Sequence, residues 1–166
     1  VKKFQLGYCL EAWDAFSNLA LENGYKKDFL LKTGLSIEKE NRLLDRFRGR
    51  VIFPIHGIAG RVIAFGGRIL KTDSKTAKYL NSPESEVYYK SRILYGIFQA
   101  KKSIVQNDKC FLVEGYTDVL SFHQAGIENV VASSGTALTT DQIRLIKRFT
   151  NNITIIFFII FNITTK

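Results

Sequence analysis

At 166 residues, with 46% hydrophobic and 23% charged residues, the chain is long enough for one sizeable core or two small ones and has the balance of an ordinary globular protein. A formal net charge of +9 calls for an anionic partner. The apolar run over residues 153–161 falls short of the roughly 20 residues needed to span a bilayer, which excludes a membrane-embedded role.

Residues 1–41 hold six basic and six acidic side chains, which cancel. The sequence here runs FQLGYCLEAW, with no signal-peptide pattern, and reads like the interior of a longer chain. The first 45 or so residues predict helices. EAWDAFSNLALENGY places Trp13, Phe16 and Leu19 to Leu21 on one side, so Trp13 and the other aromatics of residues 1–30 are expected in the core. Asn23-Gly24 closes this helix, and a second over residues 27–33 stops at Gly34. Leu35-Ser36-Ile37 and the following EKENRLLDRF predict either a short helix or a charged connection.

Residues 42–102 carry 13 basic against 4 acidic side chains, so the whole charge excess sits in the middle of the chain and marks a binding face. RVIFPI and GRVIAFGGRIL predict two strands joined through residues 56–60 as a hairpin. Residues 71–78 read as a polar loop, and residues 94–106 return to a helical pattern.

Residues 103–166 are balanced again, five against five. Strands are predicted over residues 110–113, 129–132 and 153–160. Helices are predicted over residues 117–124 and from Thr139, whose partner Gln142 completes a capping box. Continuous apolar strands alternating with helices imply a parallel sheet covered by helices, with ligands at the carboxyl ends of its strands. Glu114 lies at the end of the first of these strands, and Ser133-Ser134-Gly135-Thr136 at the end of the second. Cys9 and Cys110 form no CxxC pair, and His56 and His123 stand alone, so neither histidine suggests a zinc site. The cysteines read as buried small hydrophobes and the histidines as structural.

VEGYTDV followed by VVASSGTALT resembles the Toprim core of bacterial DnaG-type primases. DRFRGRVIFPI, GRVIAFGGR, KYLNSPES and LYG are similar to consecutive blocks of that family's RNA-polymerase domain, in the same order. The fold class this resemblance implies is α/β: an α+β basic subdomain over residues 1–106, which binds template, then a partial, Rossmann-like Toprim sheet over residues 107–166, divergent after 157. The implied activity is synthesis of short RNA primers on single-stranded DNA from ribonucleoside triphosphates at the replication fork, with Mg²⁺ or Mn²⁺ as cofactor. Glu114 matches the family's catalytic and metal-binding glutamate, and Asp118 the nearby second acid. Arg46, Arg48, Arg50, Arg68, Lys78 and Lys90 match basic positions facing template or nucleotide, with Tyr79 and Asn81 in the same KYLN motif.

The residues themselves leave alternatives open. Asp118 either completes an acidic cluster or favours the helix N-terminus that it sits in. Arg46, Arg48 and Arg50 alternate; as a strand they either track phosphates from one face or guard an edge with charge. Gly66-Gly67-Arg68 admits a close backbone approach or marks a bulge. Lys78-Tyr79 and the Tyr88-Tyr89-Lys90 run pair phosphate contacts with rings suited to stacking.

The chain departs from the family at its tail. Phe158 and Ile160 stand where the resemblance calls for an Asp-x-Asp pair, and no acid follows Asp141 in this sequence. The family's zinc-binding and helicase-interacting domains are also absent, the latter being the site for the replicative helicase. Two other readings are a non-catalytic nucleic-acid-binding remnant, and a fragment of another Toprim enzyme, a nuclease or topoisomerase.

Overall fold

The computed structural model describes residues 2–70, 76–133, 135 and 137–156. They form two compact units, residues 1–90 and 91–166, so the boundary falls between Lys90 and Ser91.

The first unit is built on an antiparallel sheet of four strands, β1 (Gly7–Cys9), β4 (Arg50–His56), β5 (Val62–Ile69) and β6 (Tyr79–Asn81), in the order β1-β4-β5-β6. The β4–β5 hairpin is the one its β-branched and aromatic residues predict, with a register shift at Ile55/His56. Inward-facing Phe53, Ile55 and Ala64 are buried there, as are Phe4, Leu30 and Phe47.

Between β1 and β4 the chain departs from the helical expectation. Helix α1 (Ala15–Glu22) and helix α2 (Lys27–Lys32) are present, but a two-stranded hairpin follows, β2 (Ser36–Lys39) and β3 (Arg42–Asp45). The charged segment is thus neither a helix nor a connection. Glu40 and Asn41 both take positive φ, 52° and 61°, and close β2 onto β3 with a two-residue turn. Trp13 precedes the first helical residue, so the helical phase does not apply to it; it is 61% exposed rather than buried. Tyr8, Tyr25 and Phe29 are also exposed, correcting the expectation that the early aromatics fill the core.

The second unit follows its sequence closely. Helix α3 (Ile97–Asn107) buries Ile97, Ala100 and Ile104, spaced three and four apart on one face. A parallel sheet of β7 (Cys110–Val113), β8 (Val130–Ala132) and β9 (Ile153–Ile155) has the order β8-β7-β9, with β7 central. Helix α4 (Tyr116–Gln124) links β7 to β8, and helix α5 (Thr140–Ile146) follows β8. Thr139 caps α5 with both halves of the predicted box: its hydroxyl accepts from the Gln142 backbone N–H at 3.1 Å, and Gln142 Oε1 accepts from the Thr139 N–H at 3.2 Å. Asp108 sets the entry of β9. Its carboxylate accepts from Thr150 Oγ1 at 2.8 Å and Asn152 Nδ2 at 3.0 Å, and the Asn152 carbonyl then accepts from the Cys110 N–H to start the β7–β9 ladder. The rest of the predicted third strand, with Phe158 and Ile160, lies outside the described residues, as do Ser134, Thr136 and most of the 71–78 loop.

Candidate nucleic-acid interface and acidic site

The basic residues of the first unit occupy different structural positions. Arg46 and Arg48 belong to a turn over residues 46–49, and only Arg50 opens β4, so the three do not form one strand face. Arg50 is 5% exposed, and its guanidinium donates to the Lys78 carbonyl at 3.2 Å and the Ala77 carbonyl at 2.9 Å. Burial lowers its pKa, by taking the charge out of water. Its position ties β4 to the chain entering β6. Gly67 makes room for it: a Cβ there would lie 2.6 Å from Phe47 Cδ1 and 3.0 Å from Arg50 Cδ.

Register places Arg68 on the other face of the sheet. Tyr8 pairs with Val51, Val51 with Arg68, and Arg68 with Tyr79, so these four form one row across β1-β4-β5-β6. Directly opposed residues of an antiparallel sheet share a face, and Arg50, one residue from Val51, projects the other way. The Arg68 guanidinium carbon lies 5.7 Å from the Tyr79 ring centroid, a cation–π distance. Asn81, two residues on, shares the Tyr79 face and is half-buried. Lys78 is exposed beside the row. Lys90 is half-buried, and its backbone N–H donates to Glu84 Oε1 at 3.0 Å. Arg46 and Arg68 each keep a buried Nε with no acceptor among the described residues.

In the second unit Glu114 is exposed immediately after the central strand β7. It lines a cleft of about 300 Å³ with Val113, Ser133, Gly135, Leu138 and Ile155. The cleft thus gathers the ends of all three parallel strands, where a ligand is expected in such a sheet. Asp118 accepts the Gly115 N–H on Oδ2 at 2.9 Å, closing the first turn of α4. Its helix-capping role is therefore realised. Among the described residues no three His, Cys, Asp or Glu side chains come together as a metal-binding group. One exposed carboxylate beside a second already holding a backbone N–H does not fit a divalent ion retained by the protein alone.

Sequence reasoning missed Tyr8, Trp13 and Asp45. Asp14 is the N-cap of α1, and as such a residue it signals that the helix begins after Trp13. Asp45, read only as one charge in a run, is buried and accepts three hydrogen bonds from α1.

Residues 1–101 match the family described as DNA primase catalytic core, N-terminal domain, and residues 111–158 match the Toprim-like family. Similar curated proteins include the DNA primase of Clostridium acetobutylicum, 44% identical over 155 residues, which cover 93% of this chain and 26% of that protein. The Escherichia coli K12 DNA primase is 41% identical over 92% of this chain and 26% of its own length. Among solved structures, the RNA polymerase domain of Mycobacterium tuberculosis primase DnaG superposes with a TM-score of 0.86 at 34% identity, covering 94% of this chain and 53% of that one. A DnaG primase catalytic domain bound to ssDNA gives 0.84 at 40% identity, covering 93% and 48%. The chain thus spans about a quarter of the curated relatives.

Proposed function

This chain belongs to the DnaG-type DNA primase family, and from that premise we propose that it is part of a primase catalytic core that holds single-stranded DNA on its first unit and carries one corner of the nucleotidyl-transfer site on its second. The observation that carries this reading is Glu114, exposed after the central strand in the cleft at the strand ends. A carboxylate on that rigid position can accept the proton of an attacking 3′-hydroxyl. Phosphoryl transfer depends above all on positioning and charge stabilisation, and the family draws on a divalent ion, Mg²⁺ or Mn²⁺, for the latter.

The template is assigned to Arg48, Arg68, Lys78 and Tyr79, which combine phosphate-binding charge with rings. Arg46, Asn81 and Lys90 are assigned to the same interface, and ribonucleoside triphosphates are the substrates. Arg50 supports this interface from within, by fixing the 77–78 backbone. We assign Asp118 to holding the Gly115 turn, and so the direction of Glu114. The place of action is the bacterial cytoplasm, at the replication fork.

Phe158 and Ile160 replace the acidic pair that this chemistry calls for, so metal affinity is weak and catalysis by this chain slight. The test is incorporation of labelled ribonucleotides on a single-stranded template with Mg²⁺ or Mn²⁺. Products at the background level are expected, and robust primer synthesis would overturn the assignment of an incomplete site.

A further inference from the structure

A carboxylate that takes a proton from a reacting group works at hydrogen-bond distance, so its backbone has to be held to within about 0.5 Å. The turn that carries Glu114 is closed from inside by the bond between the Gly115 N–H and Asp118. From outside, Tyr95 bears on it. Tyr116, two residues after Glu114, and Tyr95 are each 2% exposed. Their ring centroids lie 4.6 Å apart at an interplanar angle of 77°, an edge-to-face pair.

The main chain of Tyr95 reaches the opposite wall of the same cleft. Its N–H donates to the Ala132 carbonyl at 2.9 Å, and its carbonyl accepts the Ala132 N–H at 3.0 Å. Ala132 ends β8, and Ser133 after it lines the cleft with Glu114. The residues before Tyr95 are fastened just past Leu138, another residue of that lining. There the Thr139 hydroxyl donates to the Ser91 carbonyl at 2.5 Å, and the buried Gln142 donates through Nε2 to the Ile93 carbonyl at 2.9 Å. The capping box of α5 thus also grips residues 91–95, which begin where the first unit ends. A tyrosine serving only as core filler would need its ring alone. Tyr95 meets one wall of the cleft with its ring and the other with its main chain, as a brace does.

We propose that Tyr95 is a positioning residue for Glu114: its ring fixes the 114–116 turn relative to the end of β8, and Thr139 and Gln142 hold the segment that carries it. This deepens the proposed function and rests on its assignment of Glu114 to the nucleotidyl-transfer site. Tyr95 acts through Tyr116 and not on substrate.

Amide hydrogen exchange on the whole chain reads the contact, because the Gly115 amide, bonded within the Glu114 turn, exchanges when that turn opens. Tyr95→Leu removes the ring and should speed exchange at Gly115 by about fivefold, the worth of one edge-to-face pair. The Ala100 and Ile104 amides of α3 should change no more than the shift in urea midpoint requires, whereas a merely structural tyrosine would move all these amides together. Tyr95→Phe keeps the ring and should exchange like the unsubstituted chain. In that unsubstituted chain, which needs no variant to fold, the Tyr95, Ala132 and Gly115 amides should share one opening free energy. Gly115 exchange that ignores Tyr95→Leu, or that opens apart from Tyr95 and Ala132, would overturn the positioning role and leave the reading of Glu114 intact. Robust primer synthesis that survives Glu114→Gln would overturn that reading, and the positioning role with it.

Discussion

Asp45 accepts the Phe16 and Ser17 N–H groups on its two carboxylate oxygens, each at 2.8 Å, and the Ser17 hydroxyl at 2.7 Å. Those N–H groups are among the orphan donors at the start of α1, so a strand residue does the capping that Asp14 does not. The same Asp45 N–H holds the Trp13 carbonyl, which couples this buried charge to the exposed indole. Asp45→Asn turns one acceptor into a donor facing donors and should cost about 2 kcal/mol, seen as a lower urea midpoint with an unchanged m-value. His56 gives a pH signature. Its Nε2 lies 2.9 Å from Gln5 Oε1, and burial lowers its pKa, by penalising the imidazolium, against a smaller opposing effect of the Pro54 backbone. The unfolded chain therefore takes up the proton first. Stability from this group is full above the ordinary histidine pKa near 6.5 and is lost as pH falls from there through the folded value. Chemical denaturation across pH 7.5 to 5 should show that decline, and His56→Gln should flatten it. The thiols are equally removed from ionisation: burial pushes Cys9 up to about 11, with Asp45 adding to it, and Cys110 up to about 12.

At the scale of elements, β7, β8, α4 and α5 could be read from the sequence because each announces itself locally. The strands are unbroken apolar runs, and Gly126 and the Thr139–Gln142 box mark where helices stop and start. The β2–β3 hairpin could not be read this way. Its residues, SIEK and RLLD, are half charged, and its turn is Glu-Asn rather than the Asn-Gly that signals a type I′ hairpin. Lys39 and Arg42 face each other across the turn, a like-charge pair that further weakens the local signal. What holds the hairpin is tertiary: the Ser17–Ser36 hydroxyl contact at 2.8 Å and the Asp45 cap. Replacing Glu40-Asn41 by Asn-Gly relieves two left-handed residues and should stabilise the chain by about 1 kcal/mol, measured as a raised Tm. Arg50 escaped the sequence for a similar reason. Alternation with Arg46 and Arg48 suggested one exposed face, but the strand begins only at Arg50, and two backbone carbonyls draw its side chain inward.

Over the whole molecule, the proposed interface rests on the charge pattern more than on any single basic residue. The charge excess lies in residues 42–102, and the arginines and both lysines of the proposed template interface come from that segment. The place of Glu114, exposed at the end of β7 in a cleft, was legible in the sequence, and parallel sheets bind ligands there. The site's proposed incompleteness rests on identity alone, Phe158 and Ile160 lying outside the described residues. The exposure of Trp13 was not legible, because a tryptophan beside a helix looks like core until the helix start is known. Binding to single-stranded DNA tests the central claim most directly, and salt dependence is its sharpest form. Anisotropy of a labelled oligo-dT should show affinity falling with salt at a log–log slope of about −3, from roughly four phosphate contacts at 0.7 each. A slope near zero, or no binding at 50 mM salt, would contradict a nucleic-acid interface on this unit.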